Sequence, residues 1–230
     1  MAKVKSRNRK SDEKLLDLVE VKQQTKSFFE HNQQKIGIIG GGLLLAVLGA
    51  IAYIFLYQKP RQERAIEQMM VAQQQFEKDS FRLALTNPGG GYSGFLDIID
   101  TYSGTKTANL AKYYSGICYL HLGQFDAAID YLNAYSPADE ATKITRLGTL
   151  GDAYSEKKDF DKAISSYKNA IDAGNNELLT AYYIKKLGFL YMHQNDNANA
   201  LVQFNKLKKD FPLSPEATDV DKYIAKLGGE

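Results

Sequence analysis

A single cysteine, Cys118, stands among 230 residues, so no disulfide forms within the chain. The redox compartment stays open, since many proteins of oxidising compartments carry no disulfide. Histidine is almost as scarce. His31, His121 and His193 are scattered, with no pair at a metal-ligand spacing. Cys118 lies one residue before Tyr119 in a helical pattern and reads as a small buried side chain rather than a nucleophile. Carboxylates such as Asp159, Asp161 and Asp196 fall in turns, and no nucleophile, base and orienting group come together as a catalytic set. The expectation is a chain that is not an enzyme and takes no cofactor, metal or small-molecule substrate. A basic excess is lacking too. The net charge is +2, which is no footprint of a nucleic-acid binder.

One stretch lacks charge altogether. Ile36 to Tyr57, IGIIGGGLLLAVLGAIAYIFLY, holds 22 residues with neither a charge nor a polar face. As a helix it spans about 33 Å, against a bilayer hydrocarbon core of about 30 Å. This predicts three regions: a basic cytoplasmic tail at 1–35, a transmembrane helix at 36–57 and a soluble domain at 58–230. Residues 1–35 hold nine Lys/Arg and five Asp/Glu, while the remainder holds 20 and 22. Lys3, Lys5, Arg7, Arg9 and Lys10 favour an N-terminus kept in the cytoplasm, although Lys59, Arg61 and Arg64 follow the far end. The competing reading is a cleaved signal peptide at Ala50-Ile51-Ala52. Against it stand the long n-region, the long apolar run and the apolar Tyr53–Tyr57 that follows. No cysteine is placed for lipidation. Residues 12–21 have the pattern of a short amphipathic helix, and Phe28, Phe29, Tyr53, Phe55 and Tyr57 suit the two interfacial belts. Gly37, Gly41, Gly42, Ala46 and Ala50 put small residues at four-residue spacing, a face that lets another helix approach closely.

The domain after the span reads as helical throughout. Ala65, Met69, Ala72 and Phe76 recur at helical spacing, predicting one helix over 61–84 with Pro60 in its first turn. Asn87-Pro88-Gly89-Gly90-Gly91 lacks a phosphate-loop ending and reads as a flexible loop. A helix at 92–102 follows, with Phe95, Ile98 and Ile99 inward. Then the chain repeats itself. Gly116-x2-Tyr119, Gly151-x2-Tyr154 and Gly188-x2-Tyr191 are followed by Ala128-x3-Leu132, Ala163-x3-Tyr167 and Ala200-x3-Phe204. The tyrosines lie 35 and 37 residues apart. This resembles the tetratricopeptide repeat, whose period is about 34 and whose signature runs Leu-Gly-x2-Tyr, Ala-x3-Phe, Pro. The first position is not Trp, and only the last copy carries the terminal proline, Pro212.

The expected architecture is all-α: a transmembrane helix, then a right-handed α-solenoid of about four helix pairs with a capping helix. The divisions are a degenerate first repeat at 58–105, repeats at 106–140, 143–176 and 178–213, and the cap at 214–230. The cap starts at Ser214 as N-cap before Pro215, with Tyr223, Ile224 and Leu227 inward. Stacked helix pairs form a concave groove for protein segments. The resemblance implies that the first helix of each pair lines it. Groove candidates are then Tyr113, Ile117, Leu120, Tyr182, Phe189 and Met192, with Asp152 and Lys185 as polar contacts. The set is mainly apolar and aromatic, which suits non-native or apolar segments, unless a neighbouring loop or the first repeat covers it.

At the membrane junction, Lys26-x-Phe28-Phe29-x2-Asn32-x2-Lys35, leading into the span and then into degenerate repeats, resembles the YfgM family. These are inner-membrane proteins with one N-terminal helix and a periplasmic repeat domain. The resemblance implies a location in the cytoplasmic membrane with the repeats on the periplasmic or extracytoplasmic side. It implies as partners a SecYEG-type channel, a PpiD-type membrane-anchored chaperone and secreted or outer-membrane clients. The expected function is a scaffold or chaperone cofactor at the exit of the translocon. The alternative is an envelope-assembly scaffold of the Tol-Pal or outer-membrane-assembly type, since Tyr102-Ser103-Gly104 through Ala108 to Tyr113–Gly116 also resembles repeats found there.

Overall fold

The computed structural model describes Lys26, residues 31–174 and residues 176–228. Residues 1–25 of the basic tail, with their amphipathic stretch, and Phe28 and Phe29 lie outside the described residues. Those described fall into two units, one ending at Lys59 and one beginning at Pro60.

The first unit is helical and wholly apolar in its middle. Helical backbone runs from His31 to Phe76, and its most apolar window has a mean hydropathy of 2.4 with none of it buried. Leu56 is 80 % exposed and Ile38 75 %. A helix of a soluble core would hide such side chains, so this one is long and apolar enough to cross a membrane. At Gly37, Gly41 and Gly42 nothing stands within 4 Å of where a Cβ would be, and Ala46 and Ala50 are exposed. The face of small residues is open. Ile54–Gln58 forms a π-turn, in which the Lys59 N–H donates to the Ile54 carbonyl. Pro60 explains its place: proline has no N–H for the carbonyl four residues back, and its ring crowds that carbonyl.

Every regular element among the second unit's described residues is a helix. It comprises α1 (Lys59–Phe76), α2 (Phe81–Thr86), α3 (Phe95–Thr101), α4 (Lys106–His121), α5 (Phe125–Ala134), α6 (Glu140–Glu156), α7 (Phe160–Ile171), α8 (Glu177–His193), α9 (Asn197–Asp210), a 3₁₀ turn (Pro215–Ala217) and α10 (Val220–Lys226). Three antiparallel pairs, α4–α5, α6–α7 and α8–α9, stack in sequence through α5–α6 and α7–α8. The first helices also touch one another, α4 with α6 and α6 with α8, which aligns them along one face.

The signature residues make each pair possible. A Cβ on Gly116 would lie 2.6 Å from Leu132, one on Gly151 2.6 Å from Tyr167, and one on Gly188 2.7 Å from Phe204. In every pair the first helix gives up its side chain so that a large residue of the second can lie against its backbone. Ala128, Ala163 and Ala200 are fully buried in the same seams. Each hairpin closes through the same backbone bond, with the repeat tyrosine's carbonyl accepting from the residue five ahead. Gln124 N–H reaches Tyr119 at 2.8 Å, Asp159 reaches Tyr154 at 2.9 Å and Asp196 reaches Tyr191 at 2.9 Å. The residue before each donor is left-handed: Gly123 (φ 71), Lys158 (φ 62) and Asn195 (φ 62).

The same turn appears where one long helix was expected. Ser80 N–H donates to the Gln75 carbonyl at 2.9 Å and Asp79 has φ 55, so α1 ends at Phe76 and α2 folds back. Phe76 and Phe81, five residues apart, would diverge on a single helix. The turn brings their rings edge to face at 5.6 Å in a shared core with Phe95 and Ile98. The degenerate first pair is therefore α1 against a second helix interrupted into α2 and α3. The glycine loop between them is tied at both ends, by Gln75 Nε2 to the Pro88 carbonyl (3.0 Å) and the Ser93 N–H to Gln68 Oε1 (2.7 Å). It is an anchored insertion rather than a free loop.

The cap also differs from expectation. Ser214 makes no side-chain cap bond, and Pro215–Ala217 is a 3₁₀ turn separated from α10. Asp219, at the α10 N-cap, sends its carboxylate to Lys185 instead (2.6 Å).

A candidate interaction groove

The three first helices begin under firm side-chain control, which fixes the face they share. Thr105 accepts from the Ala108 N–H on α4, and Asn176 accepts from the Leu179 N–H on α8. On α6, Asp139 and Thr142 form a reciprocal capping box. Where α6 and α8 meet, Tyr183 lies across Gly148 so closely that a Cβ there would fall 1.9 Å from its ring.

Asp152 is the hub of the groove. Its Oδ1 accepts from the Tyr167 hydroxyl at 2.6 Å and from Lys186 Nζ at 2.7 Å, tying α6, α7 and α8 together. Lys186 Nζ also lies 5.1 Å from the centroid of the Tyr182 ring. Burial, the largest single influence, pulls the Lys186 ammonium down, but the Asp152 carboxylate and Tyr182 together turn the net shift upward. Burial, and then the Asp152 charge, hold the Tyr167 and Tyr183 phenols above tyrosine's ordinary value. Both phenols therefore stay protonated, and Tyr167 stays a donor. Beside the hub opens a cleft of about 520 Å³, bordered by Leu120, Phe125, Asp152, Glu156, Tyr167 and Lys186.

The residues expected in the groove separate into three groups. Leu120 and Asp152 border the cleft. Tyr182 is 40 % exposed on α8, while Tyr113 and Ile117 are half-buried on α4, Tyr113 against Tyr135 with centroids 5.2 Å apart. Lys185, Phe189 and Met192 have other partners, although Phe189 stays 36 % exposed. Lys185 pairs with Asp219, Phe189 meets Tyr223 edge-on at 4.9 Å and Phe204 at 5.6 Å, and Met192 packs on the main core. The polar partner of Asp152 is thus Lys186, one residue and about 100° around the helix from Lys185. The groove is also more polar at its centre than the expected apolar set. Cys118 is fully buried, and burial pushes its thiol up to about 12, so it is no nucleophile at neutral pH. Among the described residues, no group of three or more His, Cys, Asp or Glu is placed to hold a metal ion.

Family profiles for the tetratricopeptide repeat match residues 145–173, and, through a second profile, residues 110–135 and 186–214. The matches fall on α6–α7, α4–α5 and α8–α9. The chain contains tetratricopeptide repeats, modules that generally bind protein partners. No curated protein matches the chain.

Proposed function

We propose that the chain is a membrane-anchored repeat scaffold or chaperone cofactor on the exit side of a Sec translocation channel. It would receive emerging segments or hold partner proteins in the groove of α4, α6 and α8. The observation that carries this reading is the combination of an aligned, accessible helix face around Asp152 and Lys186 with one helix apolar enough to cross a membrane. The basic N-terminus supports a cytoplasmic tail, which puts the repeats on the extracytoplasmic side, in the periplasm where an outer membrane exists. The open face Gly37, Gly41, Gly42, Ala46, Ala50 suits packing beside other membrane helices. The resemblance of the Lys26–Lys35 junction to the YfgM family supports a SecYEG-type channel and a PpiD-type chaperone as partners, with secreted or outer-membrane proteins as clients.

The test is purification of the tagged full chain in mild detergent, with mass spectrometry of what accompanies it. Channel subunits and a membrane-anchored chaperone are expected. Recovery of division or outer-membrane-assembly proteins without the channel would instead establish an envelope-assembly scaffold. Tyr182→Asp should weaken capture without unfolding the repeats, because Tyr182 is exposed. Phe189 is 36 % exposed but also touches Phe204 and Tyr223, so Tyr182→Asp is the cleaner of the two tests.

A further inference from the structure

The cleft beside Asp152 holds more negative charge than the protein neutralises. Asp152 and Glu156 stand one turn apart on α6 and both border it. The two hydrogen bonds to Asp152, from Tyr167 and Lys186, both land on Oδ1, and no hydrogen bond to Oδ2 is formed among the described residues. Glu156 is exposed and forms no ion pair among the described residues. Of the nearby cations, Lys186 lines the cleft and pairs with Asp152, and Lys157 pairs with Asp126, which leaves the charge of Glu156 as the one in excess. His121, at the rim, stacks flat on Phe81 with centroids 4.4 Å apart. Leu120 and Phe125 supply the apolar lining, and Gly123 leaves the space beside them empty.

We propose that this cleft seats a lysine or arginine side chain of an extended protein segment, whose apolar neighbours lie against Leu120 and Phe125. The proposal rests on the groove reading above and adds its charge preference. A cation meets the exposed Glu156 and the Oδ2 of Asp152, whose partial burial strengthens the attraction relative to open water. An arginine fits better than a lysine because its planar fork donates to two acceptors at once. An acidic side chain is repelled by the same pair. Lys186 does not reverse the preference, because its ammonium is held by Asp152 on one side and by the Tyr182 ring on the other.

The experiment uses the full chain in lipid nanodiscs and three acetylated, amidated dodecapeptides. They share one frame of leucine, valine and serine and differ at a central position carrying Arg, Gln or Glu. Titration calorimetry should show the Arg peptide binding about five- to tenfold more tightly than the Gln peptide, with the Glu peptide weakest. Glu156→Gln, at an exposed position, should cut that preference to about twofold. Raising the salt should do the same. If the three peptides bind alike and Tyr182→Asp abolishes all three, the groove stands and the cation seat is wrong. If the Arg preference survives both Glu156→Gln and Asp152→Asn, the seat lies elsewhere and the assignment falls. If no peptide binds, the groove reading fails and takes this proposal with it.

Discussion

The first helix pair and the three that follow close with the same backbone turn but fill their seams differently. In the regular pairs a glycine faces Leu132, Tyr167 or Phe204 at a distance no Cβ tolerates. In the first pair the corresponding position, three residues before the turn's acceptor carbonyl, is Ala72, and Gln75 stands where Tyr119, Tyr154 and Tyr191 stand. Ala84, nine residues beyond Gln75, matches Ala128, Ala163 and Ala200, and all four are fully buried. The hairpin therefore survives with most of the signature gone. What disappears is the packing of a large side chain against bare backbone, and the glycine loop fits where the second helix is no longer gripped along its length. The signature encodes the tightness of a seam, whereas the hairpin itself rests on a left-handed residue and one backbone bond.

The comparison breaks most sharply at the large residue of a regular seam. Phe204 is fully buried against Gly188, Phe189 and Tyr223. Phe204→Ala should cost about 3–5 kcal/mol, seen as lost cooperative unfolding of α8–α10 in hydrogen exchange. A loss under about 1 kcal/mol would mean that the seam is not what holds a regular pair. One step down is Gly148→Ala. Its new methyl would overlap the Tyr183 ring, and overpacking of this kind costs about 1–3 kcal/mol. The effect should localise to the α6–α8 junction and leave α1–α3 protected as before, since the first pair has no comparable ring on backbone.

These sites also separate what was legible in the sequence from what was not. Gly116, Gly151 and Gly188 with their tyrosines and alanines announced three pairs, because seam packing demands specific side chains at fixed spacing. The hairpin at Asp79 was hidden, since a left-handed Asp between Lys78 and Ser80 looks like any polar helical surface. The pairing Ala72–Gln75–Phe81–Ala84 was the only trace of it. At the candidate groove, helix-face arithmetic named Leu120 and Asp152, which border the cleft, and Tyr182, which is exposed on α8. It did not name Lys186 as the partner of Asp152 or Asp219 as the partner of Lys185, because which side of α8 faces α6 depends on the rotation between successive pairs. That rotation is set by Tyr183 settling over Gly148, a contact between residues 35 positions apart.

Alkaline pH sharpens the contrast at an intermediate size. Tyr167 and Tyr183 have raised folded-state pKa values, so their contribution is complete below tyrosine's ordinary value of 10.0 and is lost as pH rises above it. The regular repeats should lose stability between pH 9 and 11, by about 1.4 kcal/mol for each such phenol. Tyr183→Phe should remove one share of that fall while leaving the neutral-pH stability nearly unchanged, because its hydroxyl bond to Thr145 is long at 3.5 Å. Exchange measured across that range should report opening of α6–α9 before α1–α3. Simultaneous opening of all pairs would place the alkaline sensitivity elsewhere.

The smallest effect tests the shared turn itself. Asp79, Lys158 and Asn195 occupy a left-handed conformation that Gly123 adopts without strain. Asp79→Gly and Lys158→Gly should each raise the unfolding midpoint, by about 0.5–1 kcal/mol, and Gly123→Ala should lower it by a similar amount. The sign at Asp79 decides the matter. Stabilisation there, equal to that at Lys158, would establish the first hairpin as the same turn as the others, with only its seam eroded. Destabilisation would mean that the Asp79 side chain holds the turn, and that the resemblance between the two regions ends at the backbone trace.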